Sequence, residues 1–462
     1  MASNHSKRPG LNKFHNKIGT KGIFILVSSI IIALIVDMSI VKISAITGGL
    51  SSTESSIAIF VVMSVIFAVG QYFILGFVRR CTTKNSSNER LRLSSIGKVV
   101  SIIQYVLIGI FASIILQMIF TSSYNVLFLE IVTWINYILA ITLLGFLSQR
   151  FLSWFRSNHN PVVLAYSLAI IVISINAVFT LLYVTNELAS KPTVIQPAIT
   201  PVATYGSVYG IFNAGYVITS IMSFIITWIA AVLLLHNYSR KLGRAKYWIL
   251  VSIPLVYFLS QFQPLFLNVF ESFRLSEPIL FGVVYTLFFS ATVPAGGILF
   301  GFAFWSVARN MNRNIVKQYM MISAYGMILL FSSDQASGLV LIPYPPFGLV
   351  TVSFFGLASY LLLIGIYSSA ISVAEDSNLR RSIRSFAMKE SRLLDSIGTA
   401  QMEDEIQKKV ITFTKRNQDR MAEETGIQSS LSEEDVKEYL QQVIREVKKQ
   451  KTTPNKTNNG NT

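Results

Sequence analysis

The sequence predicts an all-α protein: a polytopic bundle of about ten transmembrane helices followed by a C-terminal cytoplasmic module of amphipathic helices. Three observations carry that expectation. The chain of 462 residues is 52% hydrophobic and only 13% charged, against roughly 25% charged in soluble domains. Uncharged apolar runs, long enough for a hydrocarbon core of roughly 30 Å, recur from residue 22 to residue 371. After that no such run returns, and charged residues mix with apolar ones.

The first 21 residues hold five bases and no acid. The apolar run at 22–40 that follows is longer than the apolar core of about 7 to 15 residues in a secretory signal, so it reads as an uncleaved span. Further spans are expected at 57–78, 99–120, 126–147, 162–184, 208–235, 247–269, 278–304, 314–331 and 347–371. The domains that follow are a basic cytoplasmic segment (1–21), a membrane domain (22–372), a helical tail (373–452) and a disordered C-terminus (453–462).

Orientation comes from Lys and Arg, because basic residues near span ends stay cytoplasmic. The first segment and the loops 79–98, 149–160, 237–246 and 305–317 hold twenty of them, while the alternate loops hold only Lys42, Lys191 and Arg274. Both termini are therefore expected in the cytoplasm of a cell-membrane protein. The net charge of +16 belongs to these loops, since from Val373 onward sixteen bases face fifteen acids. This balance argues against a nucleic-acid partner. Seven of the eight acids in the membrane domain fall at or near the outer side. The Asn-x-Ser/Thr sequences at Asn4, Asn85, Asn237 and Asn455 all fall on the inner side, where glycosylation is not expected.

Ionisable groups within a bilayer are candidate functional groups; here they are Asp37, near the end of the first span, and Glu130, near the outer end of the fourth. A second candidate is a ligand cavity in the seventh and eighth spans, formed by Gln261, Gln263, Pro264, Asn268, Pro294, Gly296 and Gly297. Proline frees helix carbonyls that then need a partner or a wet cavity, although close helix packing explains the same residues. Asn136, Asn176, Asn213, Gln71, Gln104 and Gln117 are expected to hydrogen-bond between helices. No catalytic signature, Walker loop or dinucleotide fingerprint occurs. The four histidines lie in the first segment or at inner span ends and Cys81 is the sole cysteine, so neither a metal site nor a cofactor is expected.

In the tail, Leu379, Ile383, Phe386, Leu393 and Ile397 fall at four- and three-residue steps, the spacing of a short coiled-coil seam, which Gly398 is expected to end. With neither Pro nor Gly from 367 to 384, this helix is expected to continue the last span unbroken. Met402, Ile406, Val410 and Phe413 mark a second amphipathic helix. A third opens at Ser432 and includes Leu440 and Val443. Helices with one apolar face need cover, so the tail is expected to pack on itself, to form a homo-oligomer or to bind a cytoplasmic protein. The block from Asp395 to Val410 resembles the tails of uncharacterised archaeal multispan membrane proteins with a helical cytoplasmic tail. That resemblance implies no activity.

Three classes of function fit these features. A sensor or scaffold, in which the membrane domain acts on the tail, is favoured by the organised helical appendage. A secondary transporter or channel is favoured by the proline breaks. A membrane enzyme acting on a lipid-linked substrate would need an outer carboxylate such as Asp37, and the chain is expected not to be an enzyme.

Overall fold

The computed structural model describes residues 20–47, 53–82, 88–197, 210–236, 243–262, 269–309, 311, 314–341, 343–376, 380 and 392–425, with isolated residues between 434 and 446. The helices are α1 (Thr20–Thr47), α2 (Thr53–Thr82), α3 (Asn88–Thr121), α4 (Val126–Asn158), α5 (Pro161–Ala189), α6 (Ile211–Leu235) and α7 (Arg244–Ser260). They continue with α8 (Glu271–Ser276), α9 (Pro278–Ser290), α10 (Thr292–Arg309), α11 (Asn314–Ser333), α12 (Leu349–Glu375) and α13 (Arg392–Thr425). A 3-10 turn covers Ala336–Leu341, and two short strands, β1 (Tyr124–Asn125) and β2 (Val194–Ile195), pair antiparallel.

Among the described residues nine stretches are long and apolar enough to cross a bilayer, α9 and α10 together making one of them. This is the make-up of a multi-pass membrane protein. The expected span at 247–269 is represented by α7, whose 17 residues rise only about 26 Å; residues 263–268 lie outside the described residues.

A polar group in lipid needs a partner, and many hydroxyls within the spans find one in their own helix. Ser64, Thr133, Thr180, Thr227 and Ser353 each donate to the carbonyl four residues earlier.

The bundle is built around α12. Every residue from Leu349 to Ala374 is buried, with α1, α2, α3, α4 and α11 packed around it. No hydrophobic effect drives helices together within lipid, so association rests on close packing, and small residues permit it. A Cβ at Gly365 would lie 2.5 Å from the Ser323 amide nitrogen and 2.7 Å from the Tyr319 carbonyl of α11. One at Gly326 of α11 would lie 2.7 Å from the Leu362 nitrogen. Elsewhere rings fill the seams, with Phe354 edge-on to Phe67 at 5.1 Å and Phe355 stacked on Tyr137 at 4.7 Å.

The two ends of the bundle differ. At one, here the tail end, α13 lies across the last turns of α4 and α12 and the start of α5. At the other, the far end, the β1–β2 pair joins the connections before α4 and after α5. There the buried Tyr124 hydroxyl donates to the Pro343 carbonyl at 2.8 Å, and its ring stacks on Tyr344. Burial, with Tyr344 adding to it, pushes the Tyr124 phenol well above its ordinary value, so it remains a proton donor.

Two expectations about the tail are corrected. The helix of the last span does not run on unbroken: α12 ends at Glu375 and Asp376 is extended. The Arg380 guanidinium donates to the carbonyls of Val373 (3.1 Å) and Ala374, which a helix C-terminus otherwise leaves open. Gly398 does not stop a helix either, because α13 runs through it from Arg392 to Thr425. A Cβ there would lie 2.2 Å from Val373 Cγ1. That close approach outweighs the cost of about 1 kcal/mol for glycine in a helix.

The α11–α12 seam gives a direct test. Gly365→Leu must push backbone atoms apart and should destabilise the protein by about 3 kcal/mol, the upper end for overpacking. Gly109→Leu, where a Cβ meets nothing within 4 Å, should be tolerated. Thermal unfolding and size-exclusion profiles in detergent distinguish the two.

Candidate functional site at the two ends of the central helix

The first turn of α12 begins at Gly348, whose φ of 86° suits glycine and which carries no side chain to cap the helix. Asp37 of α1 does so instead. Its buried carboxylate accepts from the Thr351 amide at 3.1 Å and the Thr351 hydroxyl at 2.7 Å. An acceptor on the third residue of a helix is what an N-cap supplies, and a negative charge there matches the helix dipole. Asp37 is thus an interhelical cap. Glu130 is half-buried in the first turns of α4.

A second carboxylate lies directly after α11. Asp334 accepts from the Asn176 side-chain amide of α5 at 2.8 Å and from the Tyr137 hydroxyl of α4 at 3.5 Å. The Asn176 carbonyl oxygen in turn accepts from Thr219 of α6 at 3.0 Å. Four helices therefore meet in one polar network, with Asn176 and Tyr137 buried and Asp334 partly open. Tyr137 stacks on Phe355, so the network lies against α12. Sequence reading singled out neither Asp334 nor Tyr137 for this role, and Asn176 entered only as one of several amides. The other amides do less across the bundle: Asn136 donates back to Val132 of its own helix, while the Gln71 amide reaches the Gln104 carbonyl at 3.4 Å.

At the tail end α13 is held by both packing and polar contacts. Leu393, Leu394, Ile397 and Ala400 are buried in the common core. Trp154, buried near the end of α4, donates its indole N–H to the Gln401 side chain at 3.2 Å. Asn160 caps α5 through the Val162 amide and donates to Ser396 at 2.6 Å. Ser157 donates to the Glu403 carboxylate. Arg150 pairs with Asp404 at 3.4 Å while its guanidinium lies over the rings of Phe146 and Tyr367. Tyr367 is on α12 and stacks on Trp154, so α4, α12 and α13 share one cluster.

Of the expected coiled-coil residues, Leu393 and Ile397 face this dock. Leu379, Ile383 and Phe386 lie outside the described residues. Leu440 and Val443 are half-exposed, in a region where only isolated residues are described. Residues 453–462 lie outside the described residues.

The cavity residues are distributed as follows. Gln263, Pro264 and Asn268 lie outside the described residues. Gln261 ends α7 and accepts from the Thr292 hydroxyl at 3.5 Å. Pro294, Gly296 and Gly297 are buried in α10. A Cβ at Gly296 would meet the Phe224 ring at 2.2 Å, and one at Gly297 would meet Phe331 and Ile328. Phe224 stacks on Phe258 at 3.8 Å and lies edge-on to Phe300 and Phe331, so rings fill the space beside these glycines. At the other proline, Pro254, the nearby Val251 carbonyl accepts from the Trp228 indole at 2.9 Å. Among the described residues no three His, Cys, Asp or Glu side chains are grouped to hold a metal ion.

The cap on α12 is separable from charge alone. Asp37→Ala should cost about 1 to 2 kcal/mol, the range for losing an N-cap, whereas Asp37→Asn keeps an acceptor and should retain most of the stability. Thermal midpoints in detergent measure the difference.

No protein-family model matches the chain, and neither a curated protein nor a solved structure matches it.

Proposed function

We propose that this chain is an integral membrane sensor or scaffold, with both termini cytoplasmic, in which α12 carries a change at its far end to α13 at the cytoplasmic face. The observation that carries the reading is the continuity of α12: one unbroken helix, buried from Leu349 to Ala374, capped by Asp37 at one end and packed on α13 at the other. A packed helix moves between discrete arrangements rather than deforming smoothly. A shift at Thr351 therefore reaches Tyr367 and Val373, which contact Trp154 and Gly398.

The charge pattern supports the orientation. Arg79, Arg150, Arg156, Arg309 and Lys317 belong to helix ends on the side of α13, and basic residues near span ends stay cytoplasmic. A transporter or channel would draw on a cavity beside Pro294, Gly296 and Gly297. The rings of Phe224, Phe300 and Phe331 there favour coupling over transport.

Coupling is tested in a Cys81→Ala background with Ser157→Cys and Glu403→Cys as a reporter pair at the dock. Thr351→Val, which removes the hydroxyl from Asp37, and Asp334→Asn should each change the thiol cross-linking rate by roughly fivefold or more, as expected for coupled sites. Unchanged rates in folded protein would sink the coupling reading.

Orientation is tested separately. With a membrane-impermeant maleimide, a Thr193→Cys protein should label from outside intact cells and a Ser86→Cys protein should not. The opposite result reverses the topology.

A further inference from the structure

The Asp334 carboxylate has no cation among the described residues. Its two partners, the Asn176 amide at 2.8 Å and the Tyr137 hydroxyl at 3.5 Å, are both neutral. Among the described residues no Lys, Arg or His pairs with it. A charge taken out of water is normally paired or bound to a metal ion. Asp37 differs, because it caps the N-terminus of α12, where the helix dipole is positive. Asp334 directly follows the last residue of α11, where the dipole is negative and favours a cation.

The oxygens here are spaced for one. Asn176 donates to Oδ2 of the carboxylate, and Thr219 holds the other end of the Asn176 amide, so that half of the group is fixed. The second oxygen, Oδ1, stands 3.5 Å from the Tyr137 hydroxyl, beyond the roughly 2.5–3.0 Å of a good O–H···O bond. Two oxygens that share a cation at about 2.3–2.6 Å each, at roughly a right angle, lie about 3.3–3.7 Å apart. Those distances are calcium's, and sodium has nearly the same radius. Among the described residues Asp334 belongs to no group of three His, Cys, Asp or Glu side chains, and a single carboxylate with neutral oxygens matches one positive charge better than two. Asp334 is half-buried rather than sealed, which leaves room for water at the ion's remaining positions. The same end of the bundle carries further acids, Glu130 and Glu187 among them, and an acidic surface raises the local concentration of cations.

We propose that Asp334 Oδ1 and the Tyr137 hydroxyl oxygen bind a monovalent metal cation of about sodium's radius, taken from the far end of the bundle, with Asn176 and Thr219 as positioning residues. Tyr137 keeps its proton and offers a lone pair. Its ring stacks on Phe355 of α12, so an ion held by its hydroxyl acts on a side chain that rests against the central helix. The site deepens the coupling reading by naming the kind of ligand that acts at the far end, and it rests on that reading for any effect at α13. Binding itself does not require α12 to move.

The test uses the whole chain in detergent, with thermal midpoints read in sodium, potassium and choline chloride at equal ionic strength. A ligand bound only by the folded state stabilises it by mass action. Sodium should raise the midpoint saturably, by at least about 2 °C over choline, and potassium should do less. Binding of isotopic sodium should weaken at least about a hundredfold in Asp334→Asn, which loses a contact between opposite charges. It should weaken severalfold in Tyr137→Phe, which keeps the stacked ring and reads the same site if Asp334→Asn does not fold. Midpoints that follow pH alone, or that rise equally in all three salts, would overturn the proposal. So would sodium binding that is unchanged in both variants. Sodium binding that leaves the cross-linking rate of the Ser157→Cys and Glu403→Cys pair unchanged would uphold the site and sink the coupling reading instead.

Discussion

Burying one helix along its whole length is the constraint on which the rest of this bundle depends. A helix facing lipid on one side can tolerate almost any apolar residue there, but α12 faces protein all round, so each of its neighbours must fit it. Its termini impose the stricter condition, because unsatisfied peptide groups in a low-dielectric interior are costly. The chain meets that condition from outside the helix at both ends: Asp37 supplies a carboxylate to the first turn and Arg380 a guanidinium to the last. The charges have the signs that suit the helix dipole.

Burial falls away from this centre. α7 and α9 carry Trp248, Ile249, Ile253, Val256, Ile279 and Leu280 on exposed faces, as helices in contact with lipid do. The polar groups follow the same gradient. Asp334, Asn176 and Thr219 join neighbouring helices beside the centre, while most hydroxyls further along the spans bond within their own helix. Among the described residues, interhelical polar contacts gather near both ends of α12, and a further set joins α6, α7 and α9.

Much of the membrane fold was legible in the sequence, since apolar runs report directly on span length. Helix ends were less so. The run at 126–147 underlies a helix reaching Asn158, because the last three turns project beyond the apolar core and carry the residues that hold α13. Asp37 was legible as an unusual intramembrane acid, but nothing in its neighbourhood names a partner 314 residues away. The tail shows the limit most clearly. Leu393 and Ile397 have a coiled-coil spacing, and that spacing states only that one face needs cover; it is silent on whether another tail or the bundle supplies it. Gly398 was read by local propensity as a stop, and a tertiary contact reversed its meaning.

The dock of α13 also has a consequence for the order in which the protein is made. The residues that receive it come from α4, α5 and α12, so the surface exists only after the last span has been synthesised and packed beside helices made some two hundred residues earlier. Contacts of such separation form late in assembly. Until then Leu393, Leu394 and Ile397 have no apolar surface to cover them. In a bundle missing α12, or with α4 misplaced, they stay exposed to the chaperones and proteases that recognise uncovered apolar segments. The docked tail is in that sense a built-in test of completeness, passed only by a fully assembled membrane domain.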